Sequence, residues 1–405
     1  MKIHVREIEV SPFKKGFIRL SADIEYEDNH VPETIWFDVE KKYKDVLSTS
    51  GNPWVVCLLP LAAYLDEEIV IDLPCDYQLL ANLQEVMAVW NAWDKRRSKV
   101  VIKSPVALGA PPKERRRAAF FSGGVDSFFT VLKLDKEAKE AKNWPLTDLI
   151  LVWGFDIPLE NEHGFDSLFK RLERSAKTLQ KNLIPVITNL RKTRFEEAGW
   201  AEYSHVAALS SVIYIIEKEL DIAYLGSGHS YYDLISPWGS HPLVDNLFSG
   251  STLKISLHGS AYKRVEKTEL IASSENALAE LHVCWQDASD KNCGCCNKCY
   301  RTMITLFILD ALKKSSAFER NSLQLGEIER VYSNDESSIM LFKEIAEFAV
   351  LKQKPEISSA VLKSIQTSKR VNKLLPFVNM LKSNWPFRRL GVFFYKSMFK
   401  SLIYR

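Results

Sequence analysis

Two glycines followed by an acid and a hydroxyl stand in Ser-Gly-Gly-Val-Asp-Ser at residues 122–127, directly after the apolar run that ends at Phe121. Two glycines let backbone N–H groups approach a ligand without obstruction, and a following helix adds the partial positive charge of its N-terminus. Asp126 would add a carboxylate for Mg²⁺ or a phosphate contact, and Ser127 a hydroxyl donor. The segment predicts a phosphate-binding loop, and a glycine turn with an Asp or Ser helix cap is the alternative.

Five of the seven cysteines lie between residues 284 and 299, in CWQDASDKNCGCCNKC. The spacing C-x₈-C-x₂-C-x₂-C brings four thiolates together, and soft ligands suit tetrahedral Zn²⁺. The predicted ligands are Cys284, Cys293, Cys296 and Cys299, with Cys295 to spare. An iron–sulfur cluster and metal-free thiols are the alternatives. A zinc ion with four cysteine ligands would be structural, and we expect it to hold the helix that begins near Tyr300.

The elements that would position these residues alternate between short apolar runs and helical patterns. Predicted strands cover residues 118–121, 149–153, 183–187 and 222–226. Predicted helices begin near residue 126 and cover 166–181 and 204–219. Such alternation needs crossover connections, so we expect an α/β fold with a parallel sheet. Ligands bind beyond the carboxyl ends of such strands, where Ser122, Trp153 and Gly226 lie.

SGGVDS is similar to the SGGxDS loop of the PP-loop ATP pyrophosphatases, which bind ATP and release pyrophosphate while they adenylate a substrate. The resemblance implies an adenine nucleotide alpha hydrolase-like fold, with ATP and Mg²⁺ as cofactors. It implies ATP contacts from Ser122, Gly123, Gly124, Val125, Asp126 and Ser127. In that superfamily the end of the second strand holds adenine largely through its backbone, which implies Trp153, Gly154 and Phe155 here. We add Gly226 and His229, at and after the fourth strand, to the predicted cofactor site.

The cysteine cluster followed by an arginine is similar to that of 7-cyano-7-deazaguanine synthase, which uses ATP and ammonia to turn a carboxylate into an amide and then a nitrile. RVEKTELIA at 264–272 resembles a basic element of that family and implies that Lys267 reaches ATP phosphate. The resemblance covers residues 116–310. The family's Pro-Asp-Cys-Arg substrate element is replaced by residues 227–250, which lack that Cys and Arg, so the chain resembles a divergent branch.

Further polar residues carry two interpretations each. His229 is a candidate general base, acceptor-orienting group or phosphate contact, or else a hydrogen-bonded structural residue. His241 and Asp245 invite a similar reading, and a loop shaped by packing is the alternative. Arg264 and Arg301 would neutralise charge on phosphate, because guanidinium suits bidentate oxyanion contacts, or they form surface salt bridges.

The 405 residues, 46% hydrophobic, predict two or three domains. We expect an N-terminal α+β domain over 1–110, the PP-loop ATP-binding domain with its zinc site over 116–310, and a helical basic C-terminal extension over 311–405. From 357 to 405 the chain has ten Lys or Arg and no Asp or Glu, which leaves 54 − 10 = 44 basic against 51 acidic residues elsewhere. The final RRLGVFFYKSMFKSLIYR suggests a basic amphipathic helix for an anionic membrane, RNA or a protein partner, or a terminal helix packed on its own protein.

Together these patterns predict an ATP-dependent ligase that adenylates a carboxylate, 7-deazaguanine-like or related, before a nitrogen nucleophile displaces AMP. The predicted catalytic residues are Asp126, Ser127 and Lys267. The acceptor would be a small molecule or a modified base. A thiolation-type RNA modification enzyme and a non-catalytic ATP-binding component of a multi-protein system, for example in defence, are the alternatives. The opening MKIHVREIEV alternates like a strand and no apolar run reaches membrane-span length, so we expect a cytoplasmic protein, and a homodimer stays open.

Overall fold

The computed structural model describes residues 1–383 except 29, 110, 112–114, 143 and 285–290, and beyond 383 it describes only 392, 395 and 397. The chain forms two compact units. The first consists of Met1–Ser122 and Thr130–Ala261, and the second of Gly123–Phe129 and Tyr262–Arg405. The predicted segment boundaries near residues 110 and 310 do not coincide with the boundaries of these units.

Strands occur in the first unit. They are β1 (Lys2–Val5), β2 (Glu9–Val10), β3 (Phe17–Glu25), β4 (Glu33–Glu40), β5 (Ile69–Ile71), β6 (Cys75–Asp76), β7 (Ile102–Lys103), β8 (Val106–Ala107), β9 (Arg116–Phe120), β10 (Asp148–Trp153), β11 (Asn182–Thr188), β12 (Leu220–Gly226) and β13 (Lys254–His258).

The helices divide between the units. The first five are α1 (Asn52–Leu65), α2 (Tyr77–Trp93), α3 (Val125–Ala141), α4 (Glu162–Thr178) and α5 (His205–Ile215). The start of α3, up to Phe129, belongs to the second unit, and the rest of α3 and the other four helices belong to the first. The second unit continues with α6 (Arg264–Ile271), α7 (Glu275–Glu280), α8 (Asn297–Ile308), α9 (Leu325–Ile328), α10 (Glu336–Leu351) and α11 (Pro355–Ser383).

The main sheet has the strand order β13-β12-β9-β10-β11-β4-β3-β1-β5-β7, with β2 paired to β3. The strands from β13 to β11 run parallel, whereas β11–β4, β4–β3 and β3–β1 are antiparallel pairs. The predicted α/β class with a mostly parallel sheet is therefore confirmed.

The parallel part of the sheet reverses its winding next to β9. From β9 the chain winds through β10 to β11, and it then returns to the other side of β9 as β12 and β13. In doubly wound sheets a ligand crevice opens at such a switch point, outside the carboxyl ends of the two strands. Ser122 follows β9 and Gly226 ends β12, so both lie at this reversal.

Residues of the first hundred extend this same sheet, although the sequence pattern suggested a separate domain. Antiparallel β4 pairs with β11, with Val39 opposite Val186. Without β4, the outer edge of β11 would present unpaired backbone groups. The buried Asp38 on β4 is ion-paired with Arg19 on β3 at 2.7 Å. Alternation of apolar and polar residues predicts such strands but does not indicate which strand of the sheet they pair with.

The second unit is helical among its described residues. Helix α10 packs against α6, α8 and α11, and α9 packs against α11. Cys296 is the N-cap of α8, whose Asn297 start is three residues before the expected one near Tyr300. Of the predicted tail helix the structure describes only residues 392, 395 and 397, so Arg389, Lys396 and Lys400 lie outside the described residues.

Candidate functional site

The acid of the glycine-rich loop is ion-paired with two cations, all three within the second unit. Arg264 Nη1 donates a hydrogen bond to Asp126 Oδ2, and Lys267 Nζ lies 3.3 Å from Asp126 Oδ1. Asp126 lies in the first turn of α3, while Arg264 and Lys267 are three residues apart on α6 and so share one helix face. Glu344 of α10 adds a second carboxylate, which accepts a hydrogen bond from the Arg264 N–H at 3.0 Å, so the cluster joins two cations to two anions.

Burial makes these charges interdependent. Lys267 is only 1% exposed, and burial lowers its pKa below the usual range, with repulsion from Arg264 adding to the effect and Asp126 opposing it. Burial also raises the pKa of Asp126, but attraction to Arg264 and Lys267 outweighs it, so that pKa is lowered overall. The Lys267 ammonium lies 5.7 Å from the centre of the Phe129 ring, close enough for a cation–π contact. The pKa values of Lys267 and Asp126 are thus both shifted downward, that of Lys267 mainly by burial and that of Asp126 by its two cations.

Helix α8 adds a third cation, Arg301. Burial, together with repulsion from Arg264, lowers the pKa of Arg301 to about 10. Within the part of the chain that the structure describes, the guanidinium of Arg301 has no hydrogen-bond or ion-pair partner. An unpaired and partly buried cation is stabilised by an anion, so Arg301 favours an oxyanion ligand in this unit.

The backbone of the glycine loop is held by local hydrogen bonds. Gly123 has φ +77°, a conformation that favours glycine, and its carbonyl accepts a 2.7 Å hydrogen bond from the His282 N–H. Ser127 is buried, and its hydroxyl donates to the Gly124 carbonyl at 3.0 Å. In this structure Ser127 thus supports its own turn, and His282 ties the loop to the segment that enters the cysteine cluster.

The four predicted metal ligands come together in the second unit. Their sulfur atoms all lie within 4.8 Å of one another. The Sγ–Sγ distance is 3.9 Å between Cys284 and Cys296 and 3.8 Å between Cys293 and Cys299. Thiolates at the corners of a tetrahedron with Zn–S bonds of ~2.3 Å are about 3.8 Å apart. The cluster could therefore hold a tetrahedral metal ion.

Backbone and side-chain donors orient these sulfur atoms. Cys293 Sγ accepts from the Cys296 N–H at 3.3 Å, and Cys296 Sγ accepts from the Cys299 N–H at 3.5 Å. The hydrogen bond from the Cys299 thiol, against the opposing effect of burial, lowers the pKa of Cys296 to about 5. A thiol that readily loses its proton is suited to a metal ligand.

Asn292, directly before the predicted ligand Cys293, was not among the predicted site residues. Its Oδ1 accepts from the N–H groups of Val283 and Cys284 at 2.8 and 3.1 Å, and its Nδ2 donates to the carbonyls of Leu281 and Ala317. A buried amide with four such bonds fixes the two cysteine segments at one separation. The only feature of the sequence that could have indicated this role is the position of Asn292 next to a predicted metal ligand.

At the end of β10, in the first unit, the Trp153 side chain is part of the core. Trp153 is 1% exposed, its ring stacks on Phe165 at 4.7 Å, and its Nε1 donates to the Pro158 carbonyl. The indole is therefore part of the packed core. Only the backbone groups of Trp153 could contact a ligand.

The two following residues are also shaped by their own unit. Gly154 has φ +105°, and a Cβ there would lie 1.9 Å from the Thr188 carbonyl oxygen. The Gly154 N–H donates to the Ile157 carbonyl, and the Phe155 carbonyl accepts from Arg191. Any adenine contact at this strand end would have to use or replace these hydrogen bonds.

Gly226 and His229 lie at the end of β12 in the same unit. Gly226 pairs with His258 of β13, and the Ser227 hydroxyl donates to the carbonyl of His229. The His229 ring packs edge-on against Trp238 at 4.8 Å. The loop's backbone is thus closed on itself beside the switch point, with His229 partly buried.

His241 and Asp245 form a buried turn. Asp245 is 0% exposed and accepts hydrogen bonds from Ser240 Oγ at 2.5 Å and the His241 N–H at 2.6 Å. Burial raises the pKa of Asp245 to about 7 against the opposing effect of these bonds. His241 Nδ1 accepts from the Leu243 N–H, and its ring packs on Trp93. These contacts support the interpretation of a loop shaped by packing.

The predicted site residues thus fall into two groups. The second unit brings together Asp126, Lys267 and the glycine loop, with the cysteine cluster tied to that loop. The first unit holds Ser122, which is exposed, and the ends of β10 and β12. No protein-family model, curated protein or solved structure matches the chain. No helix in the described ranges is long and apolar enough to cross a membrane.

Proposed function

We propose that this chain is an ATP-dependent adenylating enzyme of the PP-loop pyrophosphatase type, similar to 7-cyano-7-deazaguanine synthase. The observation that supports the proposal is the Asp126–Arg264–Lys267 cluster next to the Gly-Gly turn, in which Lys267 is buried and the other two side chains are partly exposed. The resemblance assigned ATP phosphate to both sequence elements, and their side chains meet in one unit. The doubly wound order around β9 supports the same reading, since Ser122 follows β9 at the reversal.

The residues of the second unit suit the negative charge of a triphosphate. The loop amides and the N-terminus of α3 favour phosphate oxygens, and Arg264, Lys267 and Arg301 supply positive charge. Asp126 holds the first two cations in place through its two carboxylate oxygens. When bound, Mg²⁺ would neutralise phosphate charge, and Asp126 and Ser127 are the side chains that would hold it.

In the proposed reaction, a carboxylate oxygen of the acceptor attacks the α-phosphorus of ATP. The bond from that phosphorus to the oxygen bridging to the β-phosphate breaks, and pyrophosphate leaves with the electron pair. A nitrogen nucleophile then attacks the acyl carbon and displaces AMP. The cations would stabilise the charge that develops on the leaving pyrophosphate, so no protein nucleophile is required.

Zn²⁺ is the ion proposed for the four-cysteine cluster, because the sulfur separations fit a tetrahedral thiolate site. Its role would be structural, since all four positions are filled by protein. Cys296 caps α8, which carries Arg301, and His282 bonds Gly123, so an ordered cluster would stabilise two parts of the phosphate site. A cytoplasmic location and a small-molecule or modified-base acceptor belong to the same proposal.

The test is AMP formation from α-³²P-ATP with Mg²⁺ and fractions of a cell extract that contain small molecules and RNA. Wild type should make AMP and pyrophosphate with the correct fraction, and Asp126→Ala should lose at least ~100-fold of the rate. Asp45→Asn, an exposed acid in the first unit, is the matched control and should keep it. Formation of ADP and phosphate, or AMP formation independent of Asp126, would contradict the proposal.

Binding of ATP without turnover is the second candidate. It is favoured by one observation, namely that Asp126 is already neutralised by two cations and would have to exchange one of them to hold Mg²⁺. ATP that binds tightly but is recovered intact with every fraction would support this candidate over the enzyme.

A further inference from the structure

Helix α11 buries one face and leaves the opposite face to solvent, within residues 355–381. Val361, Ser368 and Val378 lie on the buried face. On the other side, Leu374 is 52% and Phe377 55% exposed. Two large apolar side chains one turn apart on an outer helix face are available for burial against something outside this chain.

Three cations lie on the same side of α11, just before the apolar pair. Lys369, Arg370 and Lys373 are exposed, and none of them forms an ion pair with the residues that the structure describes. We call the set Lys369, Arg370, Lys373, Leu374 and Phe377 the outer α11 face. Glu356 is the last acidic residue in the sequence, and residues 357–405 contain no Asp or Glu. The outer α11 face therefore combines unbalanced positive charge with exposed apolar surface.

The sequence that follows α11 has the same character. Residues 384–405 contain seven aromatic residues, five Lys or Arg and no acid. Aromatic and basic side chains together suit the headgroup region of a bilayer, where rings are buried at the boundary and cations meet lipid phosphate. The charge of the chain's last segment thus complements an anionic surface.

We propose that the outer α11 face docks on an anionic lipid surface, with Lys369, Arg370 and Lys373 on the headgroups and Leu374 and Phe377 at the acyl boundary. An RNA would also attract the cations, but it would give the aliphatic Leu374 nothing to pack against. A bilayer buries both apolar side chains and neutralises the cations at once. This inference is independent of the proposed ATP chemistry.

The experiment is co-sedimentation of the full-length protein with vesicles of phosphatidylcholine alone or mixed equally with phosphatidylglycerol. Binding is expected to the mixed vesicles only, and added salt should weaken it. Arg370→Glu with Lys373→Glu should reduce the binding constant at least ~30-fold, since each cation near an anionic membrane contributes about five- to sixfold. Lys313→Glu with Lys314→Glu, an equal charge change at exposed sites in the same unit, should have a much smaller effect.

Leu374→Ser with Phe377→Ser separates insertion from simple charge attraction. Both side chains are exposed, so the variant should unfold at the wild-type temperature while its vesicle binding falls about tenfold. Wild-type binding in this variant, binding of RNA in preference to mixed vesicles, or equal loss in the Lys313 and Lys314 control would overturn the proposal.

Discussion

Lys267 is a buried cation whose carboxylate partner, Asp126, is partly exposed. The ammonium of Lys267 is almost completely withdrawn from water, and its partner carboxylate at 3.3 Å compensates only part of that cost, as the lowered pKa indicates. Removing one member of a buried pair usually costs several kcal/mol because the other is left uncompensated. Shifted pKa values in an interacting charge pair are typical of functional sites.

Replacing Lys267 by Met keeps an unbranched apolar side chain of similar length and removes the charge. If this ammonium contacts phosphate, AMP formation should fall at least ~100-fold in the radiolabelled assay. The control is Lys343→Met on α10, an exposed lysine, which should keep the wild-type rate. Full activity of Lys267→Met, in protein whose folding is verified by circular dichroism, would remove Lys267 from the proposed mechanism.

Asp245 predicts a specific pH dependence of stability. Its pKa in the folded protein is about 7, above the ordinary value of 3.8, so between these values the folded state holds the extra proton. Stability should therefore fall as pH rises from about 4 to about 7, by on the order of 1–4 kcal/mol, and stay level above that. Asp245→Asn removes this dependence.

Urea unfolding of wild type and Asp245→Asn at about pH 5 and about pH 8 would measure it. Relative to the wild type, the free energy of unfolding of Asp245→Asn should be higher at about pH 8 than at about pH 5. Asp45→Asn should show no such change. An identical pH dependence in wild type and Asp245→Asn would show that Asp245 is ionised at little cost in the fold.

The predicted strands and helices of the parallel part of the sheet are present in the structure. The residues at which the helices begin and end depend on local capping hydrogen bonds. Helix α4 begins at Glu162 rather than near residue 166, because Asn161 Oδ1 accepts the Gly164 N–H and starts the helix earlier. Helix α5 ends at Ile215 rather than near 219. The apolar periodicity indicates that a helix exists, but single hydrogen bonds decide where it begins.

The turn after β10 depends on a glycine for two reasons. Gly154 has positive φ, and the Thr188 carbonyl occupies the place of a Cβ. Gly154→Ala should therefore destabilise the protein by at least ~2 kcal/mol. Gly228→Ala is the matched control, because Gly228 has ordinary φ and no heavy atom within 4 Å of a Cβ. Thermal unfolding at equal concentration would compare them, and equal melting temperatures would mean that the β10 turn rearranges freely.

At the scale of the molecule, the chain passes from the first unit to the second after Ser122, returns within α3 after Phe129, and enters the second unit again at Tyr262. The segment Gly123–Phe129 belongs with the C-terminal helices, so the glycine loop and the cysteine cluster form one unit although residues 130–283 separate them in the sequence. This arrangement makes the second unit the part whose order should depend on metal.

Metal removal should loosen the second unit selectively. If the cluster holds Zn²⁺ as proposed, a zinc chelator is expected to increase amide hydrogen exchange in α8 and around His282, because the four thiolates would lose the ion that links them, while β9 and β10 stay protected. Hydrogen exchange followed by mass spectrometry, with Zn²⁺ added back as the control, would show this. Asn292→Ala should weaken metal retention about 10- to 100-fold. Unchanged exchange after verified metal loss would make the cluster dispensable for order.

The sequence by itself determined the α/β class, the approximate strands and helices, and the four cysteines that come together. These features depend on the periodicity of apolar residues and on metal ligands that are close in sequence, and both are determined by local interactions. Only the tertiary structure decided that β4 completes the edge of β11, that Asp126 meets Arg264 and Lys267, and that Asn292 fixes the cysteine segments. Such contacts join residues far apart in the chain, and many pairings satisfy the same pattern. Packing and the pairing of buried polar groups select one of them.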